Sequence, residues 1–216
     1  MAASIAFTRR DARAYDAHCM RALGIPGVLL MERAAEGVAR IAREMLGGAA
    51  RARVTVACGA GQNGGDGYRV AELLHGAGHE VRVVFLGEPR EGSDAAVMRG
   101  RARRAGVPMQ PFCTESAVHR AELVVDAVFG TGLDRPLEGD ALAFVRSINA
   151  SGAPVLSIDL PSGMDCDTGD AMPECVHATV TATMVAPKIG FARAGARRVG
   201  RVEVVPIGGP PAFVAP

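Results

Sequence analysis

Three polar, glycine-rich segments carry the residues of this chain that could do chemistry. The first is Cys58-Gly59-Ala60-Gly61-Gln62-Asn63-Gly64-Gly65-Asp66-Gly67, between an apolar β-branched run at 53–57 and a helical pattern. Five glycines between residues 59 and 67 describe a backbone that approaches a ligand closely. A helix N-terminus there would offer unpaired N–H groups and a positive dipole end, which suits phosphate. Gly59-x-Gly61-x-x-Gly64 also satisfies the dinucleotide fingerprint, with Glu88 placed to grip a ribose. Gly65-Asp66-Gly67 lengthens that loop and puts Asp66 where the helix is expected to start. Asp66 then reads either as a helix cap or as a ligand for a cation or sugar hydroxyls.

The second segment begins at Asp126, which ends the apolar run Leu123-Val124-Val125, and continues through Phe129-Gly130-Thr131-Gly132-Leu133-Asp134-Arg135-Pro136. The third begins at Asp159 after Val155-Leu156-Ser157-Ile158 and continues through Pro161-Ser162-Gly163. A carboxylate ending a buried strand is costly unless it is paired, hydrogen-bonded or bound to a cation. The alternative for each is a turn former. Asn63, Asp126 and Ser162 supply hard oxygen ligands, and their single full charge suits a monovalent cation. Asp159 is then free for proton transfer. Arg135 reads as a phosphate clamp or as a solvated loop arginine. Of the 24 Lys and Arg residues only Lys188 is lysine. It marks a place where a compact ammonium is needed, or it is a surface residue. His18, His75, His79, His119 and His177 share no spacing and read as structural or surface residues.

The elements that must position these groups follow from periodicity. Helices are expected at 8–23 and 27–46, the second from Leu29, Leu30, Met31, Ala34, Ala35, Val38, Ile41 and Met45. Strands are expected at 53–58, 80–86, 107–112, 122–128, 154–159, 177–184 and 201–205, with helices at 66–77, 93–105 and 138–150. Alternation of this kind implies an α/β protein with a mainly parallel sheet covered on both faces. Ligands bind such sheets beyond the carboxyl ends of the strands, where all three segments lie. One domain is expected, residues 1–216, with a helical extension at 8–46, an α/β core at 51–207 and a loose tail from Pro210-Pro211.

The 216 residues are 49% hydrophobic and 22% charged with net charge +1, which supports a globular core and gives no support to nucleic-acid or membrane binding. The Arg-rich start also contains Asp11 and Asp16, which argue against a transit peptide. The five scattered cysteines read as reduced thiols of a cytoplasmic protein, without a zinc site.

Taken together, the three segments resemble the signatures of the NAD(P)H-hydrate epimerase family, built on the YjeF N-terminal domain. The resemblance extends to Gly24-Ile25-Pro26 with Leu30-Met31-Glu32-Arg33, and to Ala186-Pro187-Lys188. It implies a three-layer Rossmann-like fold, usually a homodimer, that interconverts the R and S forms of hydrated NADH and NADPH at nicotinamide C6. It implies potassium on Asn63, Asp126 and Ser162. It implies substrate contacts from Gln62, Asn63, Gly64, Gly65 and Asp66, from Gly130, Thr131, Gly132, Leu133, Asp134, Arg135 and Pro136, and from Asp159. Asp159 is expected as the acid/base group and Lys188 as its electrostatic partner. Dehydration of the S form is expected from a separate protein. Ala60, Gln62 and Ala35 depart from the family's pattern. The alternatives are a nicotinamide-dependent oxidoreductase and a non-catalytic nucleotide- or RNA-binding scaffold.

Overall fold

The computed structural model describes residues 6–114, 118, 120–194, 196–210 and 213; His119 and Pro211 lie outside them. Its frame is a seven-stranded, all-parallel sheet in the order β3-β2-β1-β4-β5-β6-β7. The strands are β1 (Arg53–Cys58), β2 (Glu80–Phe85), β3 (Met109–Pro111), β4 (Leu123–Ala127), β5 (Val155–Ile158), β6 (Val180–Met184) and β7 (Arg201–Val205). The chain runs outward from β1 through β2 to β3, then returns to place β4 on the other side of β1. That reversal opens a crevice at the carboxyl ends of β1 and β4. The strands ending in the three polar segments are neighbours, as the crevice requires. The register sets Ala57 beside Asp126 and Asp126 beside Ser157.

Strand alternation divides the core between two faces. Val54, Val56, Val125 and Leu156 pack under α1 (Arg9–Arg21), α2 (Gly27–Met45), α3 (Gln62–Gly76) and α4 (Asp94–Arg104). Ala57, Val84, Val124 and Val155 pack against Phe144, Val145 and Ile148 of α5 (Gly139–Asn149). Two short helices, α6 (Phe191–Ala194) and α7 (Ala196–Val199), precede β7; no sequence periodicity announced them. On α2 the apolar stripe buries as expected except for Leu29, which faces outward. Helix α1 begins in a capping box: the Thr8 side chain accepts from the Asp11 N–H, and the Asp11 carboxylate accepts from the Thr8 N–H at 2.9 Å. Those hydrogen bonds hold the Asp11 carboxyl below its usual range.

Two boundaries differ from the sequence reading. The strand expected at 107–112 shrinks to the three residues Met109–Pro111, with Pro108 just before it and Pro111 at its end, because proline cannot donate to the ladder. Helix α3 starts at Gln62, four residues before the expected 66, so half of the glycine-rich segment is its first turn. Glycine is a poor helix former, and here packing overrides propensity. A Cβ on Gly65 would stand 2.7 Å from the Met31 thioether and 2.9 Å from Ala95 Cα. Gly64 and Gly65 are small so that α3 can press against its neighbours.

The α2–α3–α4 layer is locked by a charge cluster. Glu32 of α2 accepts from Arg69 of α3 and from Arg101 of α4, the latter at 2.8 Å, while Glu72 pairs with the same two arginines at 2.9 and 3.4 Å. Glu32→Gln removes one carboxylate from between two partly buried guanidiniums. It is expected to lower stability by about 1–2 kcal/mol, read as a lower urea midpoint at unchanged m-value; an unchanged midpoint would show that Glu72 holds the cluster alone.

Candidate active site

Beyond the carboxyl ends of the strands lies a cavity of about 610 Å³. Its floor comes from the segments that leave β1, β4, β5 and β6, and its roof from α1 and α2. Lys188, on the loop after β6, is 2% exposed. A buried ammonium needs acceptors for all its hydrogens. It finds Asp159 Oδ1 at 2.7 Å, Thr183 Oγ1 at 2.8 Å, and the carbonyls of Met184 and Ala186 at 3.2 Å each. The only lysine of the chain is therefore a site residue and not a surface one. A guanidinium fork could not be surrounded in the same way.

Asp159 follows β5 in the left-handed conformation, φ 69°, while its N–H still bonds Ala182 across to β6 at 2.8 Å. Val185, following β6, is also left-handed at φ 67°. Non-glycine residues rarely hold this geometry, and a β-branched one less so. Both turns face the cavity. They bring Asp159 onto the ammonium of Lys188, which lies three residues after Val185.

Asp126 is fully buried below the cavity floor and does not line it. Its Oδ1 accepts from Ser162 Oγ at 2.5 Å and from the Val128 N–H at 3.3 Å. Its Oδ2 accepts from Ser157 Oγ at 2.8 Å and from the Ser162 N–H at 2.9 Å. Ser162 Oγ in turn accepts from the Phe129 N–H at 2.8 Å. Asp126 thus ties the ends of β4 and β5 to the 128–136 loop. Burial raises its carboxyl, and the four hydrogen bonds oppose that rise. Beside this hub, Asn63 is 8% exposed, and neither Oδ1 nor Nδ2 has a hydrogen-bond partner among the described residues. A Cβ on Gly130 would lie 3.3 Å from the Asn63 side chain, so glycine is what lets this amide turn toward the loop.

Gly61 caps α3 with no side-chain bond, leaving the first N–H groups of that helix open beside the cavity. Asp66 is not the cap. It sits in the second turn of α3 and lines the cavity. Burial first, then the Asp159 and Asp16 carboxylates, push it well above the carboxylate range. Asp16 enters from α1, a contribution the sequence reading missed. Desolvation at the cavity mouth, then Asp159, push Asp16 up to about 6, and Lys188 opposes them; the outer side of Asp16 remains exposed. Its one legible signal was its position beside Tyr15 and between Ala12 and Met20 on the apolar side of α1.

The cavity thus gathers Gln62, Asn63, Asp66, the loop from Gly130 to Arg135, Asp159 and Lys188. Gly64, Gly65 and Pro136 are not in its lining, the two glycines because they pack against protein. Arg135 stands exposed at the rim with no ion-pair partner among the described residues. Glu88 lies outside the lining and ion-pairs with Arg99 at 2.5 Å, which removes the ribose grip that an oxidoreductase would need. His79 is buried and accepts the Ala52 N–H at 3.3 Å, and His18 packs on the Phe213 ring. Both are structural.

Residues 28–190 match the family model described as YjeF-related protein N-terminus. The chain is 37% identical over 203 residues to the NAD(P)H-hydrate epimerase of Rhodopirellula baltica, covering 92% of this chain and 82% of that protein. It is 41% identical over 197 residues to the Bifunctional NAD(P)H-hydrate repair enzyme Nnr of Pyrobaculum aerophilum, covering 88% of this chain but only 39% of that longer protein. The crystal structure of yeast ynu0, YNL200c, superposes with TM-score 0.79 at 21% identity, covering 90% of this chain and 86% of that one, a likeness of fold.

Replacing Lys188 tests the hub of the cavity. Lys188→Met leaves the Asp159 carboxylate and Thr183 without their partner and is expected to destabilise the fold by about 3–5 kcal/mol. Lys188→Arg should recover less than half of that, measured by thermal unfolding. Full recovery by arginine would show that charge alone, and not a compact ammonium, is required.

Proposed function

The chain belongs to the YjeF-related protein N-terminus family, and on that premise we propose that it is an epimerase of hydrated nicotinamide dinucleotides, interconverting R- and S-NADHX and their NADPHX counterparts at C6. That carbon bears both a hydroxyl and the ring nitrogen. Inverting it requires a bond to be broken and remade on the other face, with proton donation and removal and no redox change. The observation that carries the reading is the Asp159–Lys188 pair, 2.7 Å apart, facing a cavity that Asp66 and Asp16 also line. A carboxylate held by an ammonium, beside two further carboxyls whose hold on a proton burial strengthens, offers groups for both halves of acid–base catalysis.

The rest of the cavity suits the dinucleotide. The open N-terminus of α3 takes the pyrophosphate, Arg135 reaches it from the rim, and Asp66 hydrogen-bonds a sugar hydroxyl. The apolar roof of Leu30, Met31 and Ala34 shields the nicotinamide ring from water. Potassium belongs on Asn63, Asp126 and Ser162: the buried Asn63 Oδ1 lacks a partner among the described residues, and a cation would add to the hydrogen bonds that offset the buried Asp126 charge. When bound, the ion offsets that charge and steadies the 128–136 loop. The protein acts as a homodimer in the cytoplasm, where its five cysteines, none of them in a disulfide, stay reduced. The S form passes to a dehydratase. No helix among the described residues is long and apolar enough to cross a membrane. The family's non-catalytic scaffolds are the second reading; the presence of both Asp126 and Asp159 disfavours it.

Asp159→Asn is expected to lower the rate of R-to-S conversion by about 10²–10⁴-fold, followed by coupling to an S-specific dehydratase. Full activity in that variant would sink the assignment. Potassium, compared with sodium at equal ionic strength, should raise the melting temperature of the wild type by roughly 3 °C and leave Asn63→Ala unchanged. An equal response to both ions would remove the potassium site.

A further inference from the structure

Resting on the epimerase reading, we propose that Asp16 of α1 is the second proton-transfer residue, working across the ring from Asp159. Asp159 stands on the strand-end floor of the cavity, while Asp16 hangs from its helical roof. A planar ring bound between them would present one face to each.

The position of α1 is not incidental. The segment before it is stitched to the Lys188 loop by backbone bonds, Phe7 N–H to the Pro187 carbonyl at 2.8 Å and Ile189 N–H to the Phe7 carbonyl at 2.9 Å. Arg9 adds an ion pair to Asp165 at 2.7 Å. These bonds hold α1 at a set height over the Asp159–Lys188 pair. Asn63, buried and unpartnered, independently marks this cavity as built for a ligand.

The chemistry needs two groups because the two faces of C6 are distinct. In the R-to-S direction Asp16 gives its proton to the C6 hydroxyl, the C–O bond breaks and water departs. The ring-nitrogen lone pair forms the C6–N1 double bond, leaving an iminium. A water on the Asp159 side attacks C6 and the nitrogen pair returns. Asp159 accepts the proton that the water loses. Atoms and electrons balance, with one proton moved from Asp16 to Asp159; its return through solvent resets the site. The S-to-R direction exchanges the two roles. Asp66 lines the same cavity, but it lies on α3, within the N-terminal turns assigned above to the pyrophosphate and sugar, and not on the roof opposite Asp159.

Asp16 faces Asp159 and Lys188 from the floor, Asp66 from α3, and Arg13, Tyr15 and Cys19 on its own helix. Its raised value of about 6 means that the protonated donor is lost as pH rises through that region. Activity that needs one proton on the pair must therefore fall on the alkaline side.

The test measures R/S interconversion by NMR across pH 5–9 for the wild type, Asp16→Asn and Asp16→Glu. Asp16→Asn should lose about 10²-fold or more in kcat with KM within about threefold, and its profile should lack the alkaline limb near pH 6. Asp16→Glu should restore part of kcat and the limb. Wild-type turnover with an Asp16→Asn variant of equal kcat and profile would overturn the role of Asp16 and leave the epimerase reading standing. A wild type no faster than the uncatalysed reaction would overturn the epimerase reading itself. A loss in KM alone, with kcat kept, would show that Asp16 only binds.

Discussion

A buried ammonium is the constraint around which this site is arranged. The Lys188 charge is taken out of water, and the desolvation cost of several kcal/mol per ion must be offset by acceptors in fixed places. Those acceptors come from the end of β5, from β6 and from the turn after it. To deliver them the chain holds Asp159 and Val185 in left-handed backbone conformations, which cost of order 1–3 kcal/mol each. Strain at two consecutive strand ends is tolerated because the ion pair and the sheet bonds over-determine it.

Asp126 performs the corresponding task one strand over. It does not line the cavity; it binds the loops that do, joining Ser157, Ser162 and Val128 through a single carboxylate. The two aspartates end neighbouring strands and look alike in sequence, yet one is fully buried and spent on hydrogen bonds while the other is exposed to the cavity and held by a lysine. That division separates architecture from chemistry.

Much of this was legible beforehand for a physical reason: apolar strands ending in carboxylates, followed by glycine-rich turns, state where a parallel sheet presents its ligand edge. The parallel sheet and the grouping of Asn63, Asp159 and the 130–135 loop at one edge follow from that pattern; the order of the strands does not, and the convergence rested on β1, β4 and β5 being neighbours. The rarity of lysine in an arginine-rich chain pointed to Lys188. What stayed hidden depends on packing. Gly64 and Gly65 read as a ligand cradle, whereas Gly64 leaves room for the Gly59 backbone and Gly65 lets α3 press on Met31 and Ala95. Asp66 read as readily as a cap as a ligand, because nothing in the sequence shows that the helix has already begun. Asp16 was invisible as a site residue, since a carboxylate on an amphipathic helix resembles any solvated charge until the fold sets that helix over the strand ends.

The central claim is that this cavity inverts C6 of a hydrated nicotinamide without redox chemistry. The most direct measurement starts from the purified R epimer of NADHX and records the growth of the S resonances by NMR, with and without the protein, in potassium buffer. The account predicts an approach to the same R/S equilibrium at a rate well above the spontaneous one, with no NAD⁺ or NADH formed. A time course that superimposes on the protein-free control would contradict it.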